Sequence, residues 1–475
     1  MEARERGDTA ATAAKAWGNV TIWRVGGACP GLSEFTALRA GDMLMNTATK
    51  PHVLVLGGNF AGLSSAQKIR EYAGESVDIT VIDRKDYLLF VPNIPTDVFE
   101  NRDPSLHQRM QLRPALAGDD IHFIQALVQR VDIDARMVHF LPFERPGEAS
   151  ESLHYDYLVV ALGAHLAYDR LPGFAEHGHT VSDLFHGERL RRYLFEGGYR
   201  GGPIVIGAAH FHQGDGAEGL QPYPGGSIPY LKAACEGPIL EMTTAMASWL
   251  TRTGRGTPEK ITVFTPDEVI AADAGVKNVE AFLRMTHAMG IHYRNNMPDI
   301  ARLTAEGIEF NTGETLAAEI KLILPDWVSH ECLRDLPICD SRGFVRTNLL
   351  MRNPEHPEIL AAGDCASVTV PKIGGIGHQQ AEIVGRQIAL DMGRMDAEEA
   401  NQALRPVTFC IGDMGEGRAF YVRSNSWFGG HDDVLKMGRV PYRLKMSYRD
   451  LFFLTHGKMP GFGLNIAQFA AERVF

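Results

Sequence analysis

Short apolar runs alternate with stretches of helical spacing along most of this chain. The runs at 53–56, 79–82, 157–161, 203–206, 261–264 and 320–324 read as strands, and the helical patterns between them predict parallel sheets of an α/β fold. The first run, His52-Val-Leu-Val-Leu56, leads into Gly57-Gly58-Asn59-Phe60-Ala61-Gly62 and then a helix-like Leu63–Arg70 stretch. A glycine-rich turn between strand and helix aims backbone N–H groups and the positive helix end at a pyrophosphate. Gly57 serves the tight turn and Gly62 the close approach of helix to strand. Asn59 stands where a second glycine is usual, and is expected to tolerate left-handed backbone angles there. A second strand, Val77–Ile82, ends in Asp83, 21 positions after Gly62, the place of a carboxylate that binds ribose.

Later segments continue the pattern. Tyr155-Asp-Tyr-Leu-Val-Val-Ala-Leu-Gly163 reads as a buried strand ending in a small-residue turn, and Glu358-Ile-Leu-Ala-Ala-Gly-Asp364 as another. Pro371-Lys372-Ile-Gly-Gly-Ile-Gly-His378 opens a helix whose positive end faces the same place. A second dinucleotide-type strand, Gly202–Ile206, runs into Gly207-Ala-Ala-His-Phe-His212. Two glycines are missing there, and Phe211 and His212 are expected to obstruct a second phosphate site. The loop that follows is long and rich in His, Gly and Pro, including Pro222-Tyr-Pro-Gly-Gly226. His210, His212 and Asp215 have metal-ligand chemistry, but histidines in polar loops more often meet solvent, and no metal is assigned.

Length and charge set limits. With 475 residues the chain has room for two or three domains. The boundaries expected are an N-terminal extension at 1–50, a discontinuous dinucleotide domain at 51–169 and 343–395, a second such domain at 170–342, and a C-terminal module at 396–475. Residues 1–50 lack a signal core and twin arginines, so export is unsupported, and Met43 or Met45 is an alternative start. A net charge of −11 gives no basis for a nucleic-acid partner. Against it, Lys436, Arg439, Arg443, Lys445, Arg449 and Lys458 oppose one acid, Asp450, a local charge of +5. Leu451-Phe-Phe-Leu454 lies among them, and Phe462, Leu464 and Phe469 follow. Cations interleaved with large apolar residues suit a peripheral membrane contact, and the competing reading is a C-terminal core segment.

Further motifs bring in a family. Asp86-Tyr-Leu-Leu-Phe-Val-Pro92, Phe185-His186-Gly-Glu188, Cys235-Glu-Gly-Pro-Ile-Leu-Glu241 (C-x-G-P-x-x-E) and Ala362-Gly-Asp-Cys365 with Val370-Pro-Lys372 resemble segments of the sulfide:quinone oxidoreductase and flavocytochrome c sulfide dehydrogenase family. That family is a branch of the superfamily that includes glutathione reductase and type II NADH dehydrogenase, and the resemblance covers roughly 51–395. It implies two Rossmann-like domains, FAD bound without a thioether, sulfide as donor and quinone as acceptor at a membrane surface, and a homo-oligomer. It assigns FAD to Gly57, Gly58, Asn59, Gly62, Asp83, Arg84, Pro92, Val128, Gly163, Asp364 and Lys372. It pairs Cys235 with Cys365 as the redox disulfide, with Glu241 and His186 as proton carriers, and puts Ser182 at the position of a third sulfur-handling cysteine. Cys29, Cys332, Cys339 and Cys410 are left as inert buried thiols. The alternatives are a type II NADH:quinone dehydrogenase and a non-enzymatic flavin redox sensor.

Overall fold

The computed structural model describes residues 50–143, 150–216, 230–368 and 371–458. The N-terminal extension up to residue 49, Cys29 within it, Pro222–Gly226, Val370, Phe462, Leu464 and Phe469 lie outside the described residues.

Two parallel sheets form the body. In the first, seven strands run in the order Ile359–Ala361, Tyr157–Val160, His52–Leu56, Asp78–Asp83, His122–Asp132, Met137–Pro142, Glu151–His154. The first five pair in parallel, with Val53 opposite both Ile79 and Tyr157 and Leu158 opposite Ile359. The last two are antiparallel additions. Continuous burial of Val53, Leu54, Val55 and Leu56 follows from helices covering both faces of a parallel sheet. The chain leaves this sheet after Val160 and returns at Ile359, so the first domain is discontinuous.

The second sheet has five parallel strands in the order Gly178–His179, Ile320–Leu324, Ile204–Ala208, Ile261–Phe264, His292–Arg294. Its core joins Ile204 and Ile206 to Met242, Met246 and Trp249 of the Gly237–Thr253 helix. The fold is thus α/β with two Rossmann-like layers, as the alternation of apolar runs predicts, and all six strands read from the sequence are present.

A three-stranded antiparallel sheet, Thr408–Gly415, Arg418–Ser424 and Asp433–Gly438, follows and leads into the Arg439–Leu454 helix. This helix buries Pro441, Lys445 and Phe452, with Tyr448 half-buried between them. The spacing of four, three and four residues makes one stripe. Phe452 and Tyr448 pack with Phe60 and Phe90 of the first domain, so burying Phe452 alone contributes about 1.5–3 kcal/mol. Part of the tail thus belongs to the core, the competing reading of this segment. Lys445 is 4% exposed, Lys458 pairs with Asp119, Arg449 pairs with Asp450, and Arg439 and Arg443 remain exposed with Leu454, which is 79% exposed. Among the described residues, no helix is long and apolar enough to cross a membrane.

Candidate active site

The turn after the first strand has the shape a dinucleotide requires. Gly57 has φ +99°, and a Cβ there would stand 2.2 Å from Ala161 O; a Cβ on Gly62 would stand 1.9 Å from Gly57 O. Both contacts are with backbone, so neither position admits a side chain. Gly58 N–H donates to Asp83 Oδ2 at 2.6 Å, and Lys85 N–H to its other oxygen at 2.7 Å, which fixes the carboxylate at the end of the second strand. Asn59 departs from expectation: its φ is −81°, and its side-chain oxygen accepts from Leu89 N–H at 3.0 Å. It ties down the Tyr87–Leu89 strand and needs no left-handed angle.

The other residues expected around FAD lie as follows. Arg84 is exposed and its carbonyl accepts from Gln125. Pro92 is exposed in the turn Val91–Asn93. Val128 is paired with Phe140, three positions beyond Gln125, the register partner of Asp83. Gly163 has φ +73° and Gly363, just before Asp364, φ +78°. Lys372 donates to Asp364 O at 2.6 Å and lies 4.2 Å from the Phe344 ring centre; burial lowers its pKa to about 8. The Gly374–Asp391 helix then starts beside Phe60. Side-chain-free turns, a fixed carboxylate and two helix N-termini fit an FAD.

The second domain does not repeat this turn. Among the described residues after Ile204–Ala208, the next helix is Gly237–Thr253, and residues 209–216 form no helix N-terminus of the kind that holds phosphate at the strand end. Phe211 is not the obstruction expected. It is 2% exposed, packs on Phe344 and donates its N–H to Lys232 O at 2.7 Å. His210 and His212 stack on each other and bond Asp299 and Asp326 respectively, while Asp215 accepts from Ser341 N–H.

The late helix carries sulfur at its start. Cys235 precedes Gly237, whose N–H points at the thiol, while burial together with Asp273, Cys410 and Asp364 pushes the thiol well above its ordinary pKa. Lys372 N–H donates to Ala234 O at 2.8 Å and straps this segment to the first domain next to Asp364. Cys410, on the Thr408–Gly415 strand, has its Sγ 3.5 Å from where a Gly237 Cβ would stand. Burial pushes its thiol up to about 12.

Cys365 is placed differently. Its Sγ donates to Val160 O at 3.1 Å and approaches Ala362 O at 3.4 Å. It is fully buried in the core of the first sheet, and its thiol acts electrostatically on Cys339. Cys410, which the sequence reading had left inert, is the thiol that acts electrostatically on Cys235, while Cys365 sits in the first-sheet core.

Glu241 lies one and a half turns into the same helix, 5% exposed. Its Oε1 accepts from Asp413 N–H at 2.9 Å and from Lys445 Nζ. Desolvation raises its pKa against the pull of Lys445. Asp273, raised to about 6 by burial, accepts from Thr408 beside the two thiols. His186 does not join them. Its Nδ1 bonds Asp183 Oδ2 at 2.7 Å, and its ring packs on Tyr168 and Phe174, where it holds the start of the Leu184–Phe195 helix. The proton-carrying role expected of it is withdrawn for lack of contact.

Lys445, Asp273 and Asp413 were missed by sequence reasoning along with Cys410. For Lys445 a signal exists: a lysine in step with Pro441, Tyr448 and Phe452 on an apolar stripe is a buried lysine in need of an acid. Cys410 carries no such signal, since a cysteine in a half-buried strand looks like any small core residue.

Residues 51–209 match the family model of the pyridine nucleotide-disulphide oxidoreductases. Over its length the chain is similar to a sulfide-quinone reductase of Aquifex aeolicus, 24% identical over 84% of this chain and 90% of that one. It is also similar to an NADH dehydrogenase-like protein of Mycobacterium tuberculosis, 24% identical over 78% and 87%. In fold, it matches the structure of the sulfide:quinone oxidoreductase from Aquifex aeolicus with a TM-score of 0.72 at 21% identity, covering 88% of this chain and 95% of that one.

Proposed function

We propose that this chain is an FAD-dependent sulfide:quinone oxidoreductase whose redox pair is Cys235 with Cys410. The observation that carries the reading is the approach of Cys410 Sγ, on a C-terminal strand, to the Gly237 helix start that follows Cys235, where Cys410 and Asp364 both act electrostatically on the Cys235 thiol. Likeness to a sulfide-quinone reductase supports sulfide as donor and quinone as acceptor.

The chemistry assigned to these residues balances as follows. Hydrosulfide attacks the Cys235–Cys410 disulfide, HS⁻ + RS–SR′ → RS–SH + R′S⁻, breaking one S–S bond and forming another. Glu241 takes the persulfide proton. The disulfide then re-forms, RS–S⁻ + R′S⁻ → RS–SR′ + S⁰ + 2 e⁻. FAD, when bound, supplies the acceptor for that electron pair and its relay to quinone. The Gly237 N–H group and the helix start favour the thiolate, while burial opposes it, which is why a base beside the pair is needed.

Anaerobic mixing with sulfide tests this. Cys235→Ser and Cys410→Ser should each abolish flavin bleaching while retaining FAD, and Cys365→Ser should bleach like the parent. Full bleaching in Cys410→Ser, or its loss in a Cys365→Ser protein that still holds FAD, would return the pair to the one implied by family motifs. NADH as donor is the second reading, supported by the likeness to an NADH dehydrogenase-like protein and opposed by the absence of a helix start at the second-domain turn. Peripheral membrane contact through Arg439, Arg443 and Leu454 is part of the same proposal.

A further inference from the structure

Behind Glu241 the interior holds more acid than base. Lys445 Nζ contacts Glu241 and acts electrostatically on Asp413, which is fully buried. Asp413 Oδ1 accepts from Gly415 N–H at 2.8 Å, and the Thr96 hydroxyl lies beside the carboxylate and favours its charged form against burial. One buried ammonium thus serves two buried carboxylates. In a medium of low dielectric the second negative charge is the costly one, so one carboxylate of the two keeps a proton.

Asp413 also lines a cavity of about 150 Å³ with Phe99, Ala245 and Ser248, and the lining extends to the exposed Arg252 and Glu416. Such a space admits ordered waters where polar groups line it, and Glu100, Ser248 and Arg252 supply them. Glu100, on the cavity wall, accepts from Tyr442 at 2.6 Å and pairs with Arg102. The cavity therefore runs from the Asp413 segment to the exposed Arg252 and Glu416, with Ser248 and Glu100 on its wall.

We propose that Glu241, Lys445 and Asp413 form a proton route that connects the Cys235/Cys410 thiols to solvent through this cavity. The proposal rests on the redox-pair reading and adds its exit. The proton released in sulfide attack breaks from the persulfide sulfur, binds Glu241, passes by way of the Lys445 ammonium to Asp413, and leaves on cavity water. No electron moves along this path. The groups that face it are Cys410 and Asp273 at the thiol end, Thr96, Glu100 and Tyr442 around Asp413, and Arg102, Arg252 and Glu416 at the mouth. Desolvation raises both Glu241 and Asp413 above the usual carboxylate range, in keeping with the retained proton.

The test uses the FAD-loaded full chain. Asp413→Asn keeps the acceptor for Gly415 and should fold. It should slow sulfide-driven flavin bleaching on the order of ten- to a hundred-fold, enlarge the solvent deuterium effect, and recover with added formate. Independently of turnover, the infrared spectrum of the resting protein should show a protonated-carboxyl band that weakens in Asp413→Asn and in Glu241→Gln. Ala245→Leu, which fills the cavity and leaves all three groups in place, should slow bleaching while keeping the band. Bleaching and deuterium effect at parent values in Asp413→Asn overturn the route. A fast Ala245→Leu beside a slow Asp413→Asn overturns the cavity as its exit. A parent protein that sulfide does not bleach, yet shows the band, sinks the redox-pair reading and leaves the shared proton standing.

Discussion

The two Rossmann-like domains begin with the same parallel strand and part company at the next turn. In the first, Gly57 and Gly62 bring strand end and helix start together, and Asp83 waits beside them. In the second, the strand ends at Ala208 and, among the described residues, the next helix starts at Gly237. The described chain between them makes contacts of its own. It anchors through Phe211 and Lys232 and delivers Cys235 to the helix start, so the positive end that binds phosphate in one domain attends a sulfur in the other. Under the proposed function, one architecture would hold the electron acceptor and its copy the electron donor's chemistry.

The harshest way to break this comparison is at the first turn. In Gly62→Val the added carbon would stand 1.9 Å from Gly57 O, a backbone clash that no rotamer relieves. The expected result is loss of more than about 4 kcal/mol and a colourless protein, read by chemical denaturation and by the flavin spectrum. A yellow, stable Gly62→Val would show that the two turns are not different in the way described.

At the second turn the expected effect is on stability and not on nucleotide use. Phe211→Ala removes a buried ring and should cost about 3–5 kcal/mol, yet NADH should still not bleach the flavin, because no helix start adjoins Ala208. Bleaching by NADH in either the parent or this variant would make the second domain a nucleotide site after all.

How much of this was legible in the sequence follows from which forces act locally. Strand runs and the Gly57–Gly62 turn are local, since periodicity and backbone sterics speak within ten residues, and they emerged at their places. Glu241 was found because C-x-G-P-x-x-E is contiguous. Cys410 was passed over, because it comes to the Gly237–Thr253 helix only through packing of a C-terminal strand, and Cys365 had the more suggestive neighbours in sequence. His186 was misplaced for a similar reason: a histidine three residues after Asp183 satisfies a helix start as readily as it carries protons. Lys445 was counted among surface cations although its stripe marked it as buried.

Acid should probe the two domains through one histidine each. His179, on the first strand of the second domain, is lowered to about 3, chiefly by burial and then by Arg189, Lys321 and His186. His378, over the FAD turn and bonded to Ser64 at 2.6 Å, is lowered to about 4 by burial. Both are neutral in the fold, and the unfolded chain binds the proton first, at the ordinary value near 6.5. Stability is therefore full above that pH and falls by about 1.4 kcal/mol per unit per group as pH drops, levelling near the folded values. Thermal unfolding from pH 7 to 4 should show a shallower decline for His179→Gln than for the parent. Equal slopes would mean that His179 is not held neutral.

The smallest effect is expected at the surface of the tail, where burial has removed most of the charge that made membrane contact attractive. Lys445, Arg449 and Lys458 are engaged within the protein, which leaves the half-buried Lys436 on its strand and the exposed Arg439 and Arg443 with the exposed Leu454. Each cation near an anionic bilayer contributes about 1 kcal/mol, so replacing Arg439 and Arg443 by Glu and Leu454 by Ser should weaken flotation with anionic liposomes by roughly ten- to a hundred-fold and leave sulfide-driven bleaching untouched. Deleting the whole helix is the wrong experiment, because Phe452 and Lys445 belong to the interior and their loss would unfold the domain junction. If the triple variant floats as well as the parent, the exposed face of this helix is not the membrane contact, and the cations of the tail serve the fold.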